Sequence, residues 1–159
     1  MKYKEIFSNP LDFPANKMHI EDGQLPSVTN ELSVTLRLNV QSLDTSWSSI
    51  FHKGVNNTTR TPGLWLCPNT TKLHPRFSTN SEWNLGINEI SNELELNKWY
   101  HIGYTLSEPL KRMDIYLNGK WVGFKCIEQV QTQCVIFNRD QLHIGCSTNN
   151  VDFSGKMRY

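Results

Sequence analysis

The stretch Leu96-Asn-Lys-Trp-Tyr-His-Ile-Gly-Tyr-Thr-Leu-Ser-Glu-Pro-Leu-Lys-Arg-Met-Asp-Ile-Tyr-Leu-Asn-Gly-Lys-Trp-Val-Gly-Phe-Lys-Cys126 decides how the rest of the chain is read. At its centre Asn118-Gly119 tolerates positive φ at both corners of a type I′ turn, which sets Leu117 opposite Lys120 across a two-residue hairpin. Counting outward pairs Tyr116 with Trp121, Ile115 with Val122, Asp114 with Gly123 and Met113 with Phe124. Met113, Ile115, Val122 and Phe124 then share one apolar face that has to be buried. The preceding segment alternates in the same way, with Tyr100, Ile102, Tyr104 and Leu106 on one side and Trp99, His101, Gly103 and Thr105 on the other. Ser107-Glu108-Pro109 is a short turn, so the three segments form an antiparallel meander.

Working outward, the period of two recurs. Leu32 to Val40 sets Val34, Leu36, Leu38 and Val40 against Ser33, Thr35, Arg37 and Asn39. Trp47 to Lys53 is a short apolar strand closed by Gly54, and Val55 to Thr61 is a polar loop of the kind that carries binding groups. Gly63 to Cys67 and Lys72 to Ser78 read as a hairpin through Pro68-Asn-Thr-Thr, with Leu73, Pro75 and Phe77 alternating with His74, Arg76 and Ser78. Pro75 cannot donate to a ladder, which places its strand at an edge, at a bulge, or with one side unpaired. Residues 1–31 are broken by Asn9-Pro10, Phe13-Pro14, Asp22-Gly23 and Leu25-Pro26, leaving Lys17 to Ile20 as the best strand. Thr79 to Asn97 reads as a long crossover between sheets, and Val135 to Phe137, Leu142 to Gly145 and Phe153 to Tyr159 as three further short strands. Alanine occurs once, at Ala15, among abundant threonine, valine, isoleucine and tryptophan, a balance that starves helices. The expectation is an all-β chain, an antiparallel two-sheet β-sandwich in one domain over residues 1–159.

Asn97-Lys-Trp-Tyr-His-Ile102, a polar turn, and a strand ending Tyr116-Leu-Asn-Gly-Lys120 together resemble the laminin-G-like jelly roll of the concanavalin A-like lectin/glucanase superfamily. The resemblance runs back through Ser33 to Leu38 and Trp47 to Gly54, and forward to Phe153-Ser-Gly-Lys-Met157. It implies a jelly roll whose last strand passes through Phe153 to Tyr159. The chain stops while still in that strand, which reads as a fragment or as the start of something longer. The superfamily hosts lectins, hydrolases, adhesion modules and structural domains, so the resemblance implies a scaffold rather than a ligand.

Bulk properties narrow the function. Sixteen basic and 15 acidic residues give a net charge of +1 without long runs of one sign, so neither nucleic acid nor an anionic membrane is an expected partner. No apolar run reaches the roughly 18 residues of a membrane span, and residues 1–8 lack the apolar core of a signal peptide. With Met1 as the native start, synthesis in the cytosol is expected, unless a larger protein or particle carries the chain elsewhere. Asn56-Asn-Thr, Asn57-Thr-Thr and Asn69-Thr-Thr are N-glycosylation acceptors only in a secreted chain. Cys67, Cys126, Cys134 and Cys146 permit three pairings if oxidised, and Cys126 with Cys134, which flank one connection, is the pair to test first. Without a secretory leader, free thiols are expected. No Cys-x-x-Cys motif and no histidine cluster accompanies the cysteines, so zinc is not expected.

Catalysis finds little support. The superfamily's glucanases use two glutamates flanking an aspartate, and the nearest match, Glu89-Ile-Ser-Asn-Glu93, carries Ser91 where the aspartate belongs. A solvated acidic loop is the preferred reading, and no enzyme is predicted. The resemblance also allows an edge calcium site, yet Asp44, Asp140 and Asp152 are isolated in loops without spaced oxygen ligands. Sugar binding wants an aromatic platform beside planar hydrogen-bonding groups, which His74, Arg76, Trp83, Tyr116 and Trp121 supply, on a sheet face or at the rim loops 55–61 and 79–93. Against that, Tyr116 and Trp121 as a cross-strand pair could fill a second core layer. The functional expectation is a non-catalytic module recognising glycan or protein; the alternative is a structural component of a homo- or hetero-assembly such as a coat or particle protein.

Overall fold

Alternation in the sequence becomes two sheets packed face to face. A computed structural model describes residues 2–88, 90–127, 133–148 and 150–158. Its strands are β1 (Leu11–Phe13), β2 (Met18–Ile20), β3 (Glu31–Val40), β4 (Ser48–Lys53), β5 (Gly63–Leu66), β6 (Leu73–Phe77), β7 (Leu85–Gly86), β8 (Trp99–Ser107), β9 (Arg112–Leu117), β10 (Lys120–Cys126), β11 (Leu142–Ile144), β12 (Val151–Asp152) and β13 (Gly155–Arg158). The front sheet runs β1-β13-β3-β8-β9-β10 and the back sheet β2-β11-β4-β5-β6-β7. Pairing is antiparallel except where the two-residue β12 lies parallel to β4. A single 3₁₀ turn at Asp22–Gln24 is the one helical element among the described residues. No helix among them is long and apolar enough to cross a membrane.

The inward residues are those the period of two selects. Leu36, Leu38 and Val40 of β3, Tyr100, Ile102, Tyr104 and Leu106 of β8, and Met113, Ile115 and Leu117 of β9 meet Ile50, Phe51, Leu64, Leu66, Leu73 and Phe77 of the back sheet. Each such aliphatic or aromatic side chain contributes on the order of 1.5–3 kcal/mol by leaving water. The crossover 79–97 seals one side with Ile87, Ile90 and Leu94. Tyr104 is fully buried, and its hydroxyl crosses the core to donate to the Arg76 carbonyl at 2.9 Å, linking the sheets.

The β9–β10 hairpin departs from simple counting. Asn118 and Gly119 have φ of 51° and 77°, the I′ pattern, and Tyr116 pairs with Trp121. A bulge at Val122 then shifts the register, so that Ile115 faces Gly123, Asp114 faces Phe124 and Met113 faces Lys125. A one-residue slip turns every later side chain over, and Phe124 is 46% exposed instead of buried opposite Met113. Gly123 takes the inward place at this register, where a Cβ would come into van der Waals contact with the Ile87 side chain at 3.4 Å. Two other expectations are corrected. Residues 135–137 form an isolated bridge from Val135 to Thr79 rather than a strand, and residues 1–31 hold a second short strand, β1, besides the one expected over Lys17 to Ile20. Pro75 sits in a strand whose outer neighbour, β7, pairs only with Arg76 and Phe77.

Candidate functional site

On β5, Leu64 and Leu66 point into the core, which turns Gly63 and Trp65 to the outer face of the back sheet. On β6, Leu73 and Phe77 point inward, which turns His74 and Arg76 to that same outer face. The register then sets Trp65 beside His74 and Gly63 beside Arg76. Although they face outward, Trp65 and Arg76 are only 2% and 3% exposed, because loops lie over them. Loop 55–61 brings Arg60, the crossover brings Trp83, Asn84 and Asn88, and the segments before β4 and β12 bring Trp47 and Asn150.

The Trp65 indole lies across Gly63, where a Cβ would come within 2.4 Å of the ring. Its centroid is 5.3 Å from that of His52, and the Arg60 guanidinium lies 5.0 Å from it. Trp65 Nε1 donates to Asn150 Oδ1 at 3.1 Å. The same Arg60 guanidinium lies 4.6 Å from the Trp83 ring, and Trp83 is itself 45% exposed. Arg60 is anchored by Nε to the Asn57 carbonyl at 2.6 Å and by Nη1 to Asn84 Oδ1 at 2.9 Å. Trp47 closes the far side, its ring 4.4 Å from His74. Between them is a cleft of about 150 Å³ bounded by Trp47, Arg60, Trp65, His74, Asn84 and Asn150.

The cleft is electropositive and poorly neutralised. Arg76 Nε donates to His74 Nε2 at 2.6 Å, which requires an unprotonated nitrogen there. Burial, aided by the Arg76 and Arg60 charges, holds the His74 pKa down to about 3. Burial, then Arg60, brings Arg76 down to about 10, and burial lowers Arg60 as well. Arg76 Nη2 donates to Asn88 Oδ1 at 2.7 Å, while Nη1 is buried without a partner among the described residues. None of the ion pairs among the described residues includes Arg60 or Arg76.

The structure therefore divides the five residues singled out from sequence. His74, Arg76 and Trp83 converge here. Tyr116 and Trp121 lie on the outer face of the front sheet, across the core from the cleft. There Trp121 is 52% exposed, so the pair fills no second core layer. The Trp121 ring stacks on Phe124 at 5.5 Å, and Nε1 donates to Asp114 Oδ1 at 2.8 Å. Asp114 also accepts from Arg112 Nε at 2.9 Å. Arg60 and Asn84 come from the rim loops 55–61 and 79–93 where a ligand is expected, whereas Trp47, Trp65 and Asn150 are not among the residues the sequence singles out. Trp65 was legible from the parity of Leu64 and Leu66, whereas Asn150 reaches the cleft from the far end of the chain with no local signal.

The remaining chemistry falls as follows. Glu89 lies outside the described residues, and Glu93 is exposed, 3.9 Å from Lys72. Asp44 accepts from the Ser46 amide, Asp140 from the Val55 amide, and Asp152 pairs with Lys17 at 2.7 Å. All four cysteines are free thiols, Cys126 exposed and Cys134 half-buried. One expectation fails here: His19 and His143 do stand beside a cysteine, Cys146.

Residues 15–158 match the family described as the concanavalin A-like lectin/glucanases superfamily. No curated protein matches the sequence. Among solved structures, a Bacteroides ovatus protein assigned a carbohydrate-binding role shares the fold at a TM-score of 0.65 and 18% identity, over 96% of this chain and 42% of that one. Domains LG4-5 of the mouse laminin α1 chain align at a TM-score of 0.62 and 14% identity, over 99% of this chain and 42% of that one. The Ruminococcus gnavus IT-sialidase CBM40, bound to α2,3-sialyllactose, aligns at 0.54 and 13% identity, over 81% and 74%. The chain spans less than half the length of the first two, and at these identities the likeness is one of fold. With the matched span covering nearly all of the two-sheet sandwich, this chain belongs to the concanavalin A-like lectin/glucanases superfamily.

Proposed function

We propose that this chain is a non-catalytic glycan-recognition module whose binding site is the cleft over β5 and β6. The carrying observation is Arg60, a half-buried guanidinium set against Trp65 and Trp83 at the cleft without an acidic partner among the described residues. Sugar rings present apolar C–H faces that suit indoles, and their hydroxyls suit the amides of Asn84 and Asn150. An uncompensated arginine favours sugars bearing a carboxylate or sulfate, since a charge-assisted bidentate pair is stronger than a neutral hydrogen bond. The CBM40 bound to sialyllactose and the Bacteroides protein support this reading by fold.

The test is a glycan array followed by calorimetry on the best acidic and neutral hits. Trp83→Ala, at an exposed position, should weaken binding by about 1–2 kcal/mol, roughly 5- to 30-fold. Trp121→Ala, on the opposite face, should leave it unchanged. A flat array, or equal losses in the two variants, refutes the assignment. Service as a rigid unit in a larger assembly is the competing reading, favoured by a concentration-dependent oligomer in sedimentation together with an empty array.

A further inference from the structure

At the other end of the same outer face, strands β2 and β11 set His19 directly opposite His143. The two imidazoles meet with Nδ1 facing Nδ1 at 2.6 Å, a hydrogen bond in which one ring holds the proton and the other accepts it, so both nitrogens border one point. Cys146 joins them, and the three ligand atoms lie within 4.8 Å of one another. In an unbroken strand Cys146, three residues beyond His143, would face the opposite side. Gly145 prevents this: its φ is +71°, and a Cβ there would sit 2.1 Å from the Phe13 ring, so only glycine makes the turn that re-aims Cys146. His143 and Cys146 are buried and His19 is exposed, which leaves one side of the cluster open to water.

The geometry points to a two-histidine, one-cysteine site for a borderline transition-metal ion, with Zn²⁺ as the natural occupant and water in the fourth position. Imidazole nitrogen and thiolate sulfur select Zn²⁺ over Ca²⁺ and Mg²⁺, which require oxygen ligands. Bond lengths of about 2.0–2.1 Å to nitrogen and 2.3 Å to sulfur place tetrahedral nitrogen ligands about 3.3 Å apart. The imidazole pair therefore opens by about 0.7 Å, and the proton held between the two Nδ1 atoms passes through solvent to the Nε2 of the ring that carried it, so both imidazoles ligate as neutral tautomers. His19, exposed on a three-residue strand, is the ligand free to make that movement. The thiol proton leaves to solvent on binding, so one proton is released by Cys146.

The experiment uses the full chain in a Cys126→Ser background, stripped with chelator and titrated with Zn²⁺ by calorimetry and with Co²⁺ by absorption. The expected result is one equivalent bound, a raised Tm, and a thiolate-to-cobalt charge-transfer band. His19→Ala should cost at least about tenfold in affinity, since even outer partners of metal ligands cost that much, without disturbing the core. Cys146→Ser should abolish the charge-transfer band, and Trp83→Ala should change nothing, which separates this site from the glycan cleft. Absence of saturable Zn²⁺ binding, equal affinity in His19→Ala, or a cobalt complex without the thiolate band each overturns the assignment.

Discussion

Gly63→Ala tests the construction of the cleft most directly. The added methyl would lie 2.4 and 2.5 Å from two carbons of the Trp65 ring, against an ordinary separation of about 3.5–4.0 Å, so the indole must retreat by about 1 Å. That ring is held by Asn150, His52 and Arg60. Retreat costs about 1 kcal/mol for the lost hydrogen bond and about 1 kcal/mol for the loosened cation–π contact. Overpacking strain adds about 1–2 kcal/mol, and the stiffer unfolded chain returns about 0.5–1 kcal/mol. The net loss is about 2–3.5 kcal/mol, which for a domain of this size lowers Tm by roughly 5–12 °C. Urea unfolding followed by tryptophan fluorescence measures it, with glycan affinity falling in parallel. Gly23→Ala is the control, because no atom lies within 4 Å of its added methyl. A Gly63→Ala protein with unchanged Tm and fluorescence would show that Trp65 does not lie over that glycine.

Three further predictions follow from the same geometry. Tyr104→Phe leaves the Arg76 carbonyl without its core donor and should cost about 1–3 kcal/mol in urea unfolding; an unchanged midpoint contradicts the inter-sheet link. His74 is neutral when folded, its pKa near 3, whereas the unfolded chain protonates it below about 6.5. The unfolded state thus binds more protons between those values, so stability is complete above pH 7 and falls on acidification. From pH 7.5 to 5 the loss for this group should be roughly 2 kcal/mol, with His52, also lowered by burial, adding in the same direction. His74→Gln should flatten the profile, and a wild-type profile already flat counts against a buried neutral imidazole. Phe124→Ser, which gives up the stack on Trp121 and the contact with the Arg112 guanidinium, should cost about 1–1.5 kcal/mol, while Ile115→Ala costs about 2–5 kcal/mol; comparable losses would restore the unbulged register.

Sequence alone determined that residues 32–40, 99–106 and 113–117 are half-buried strands, because a two-residue period admits one buried face, and Asn118-Gly119 located the tightest turn through its φ values. The same parity identified the outward positions His74 and Arg76. It failed at Phe124, since the bulge between Trp121 and Gly123 resets the parity of every later residue and counting from the turn carries no signal of it. Tertiary structure alone decided that Trp83 approaches Arg60 while Trp121 lies across the core, and that His19 meets His143 and Cys146. Local alternation tells each side chain which face it occupies. Which faces become neighbours depends on strand order and loop paths, and those are settled only when the two sheets close over a shared core.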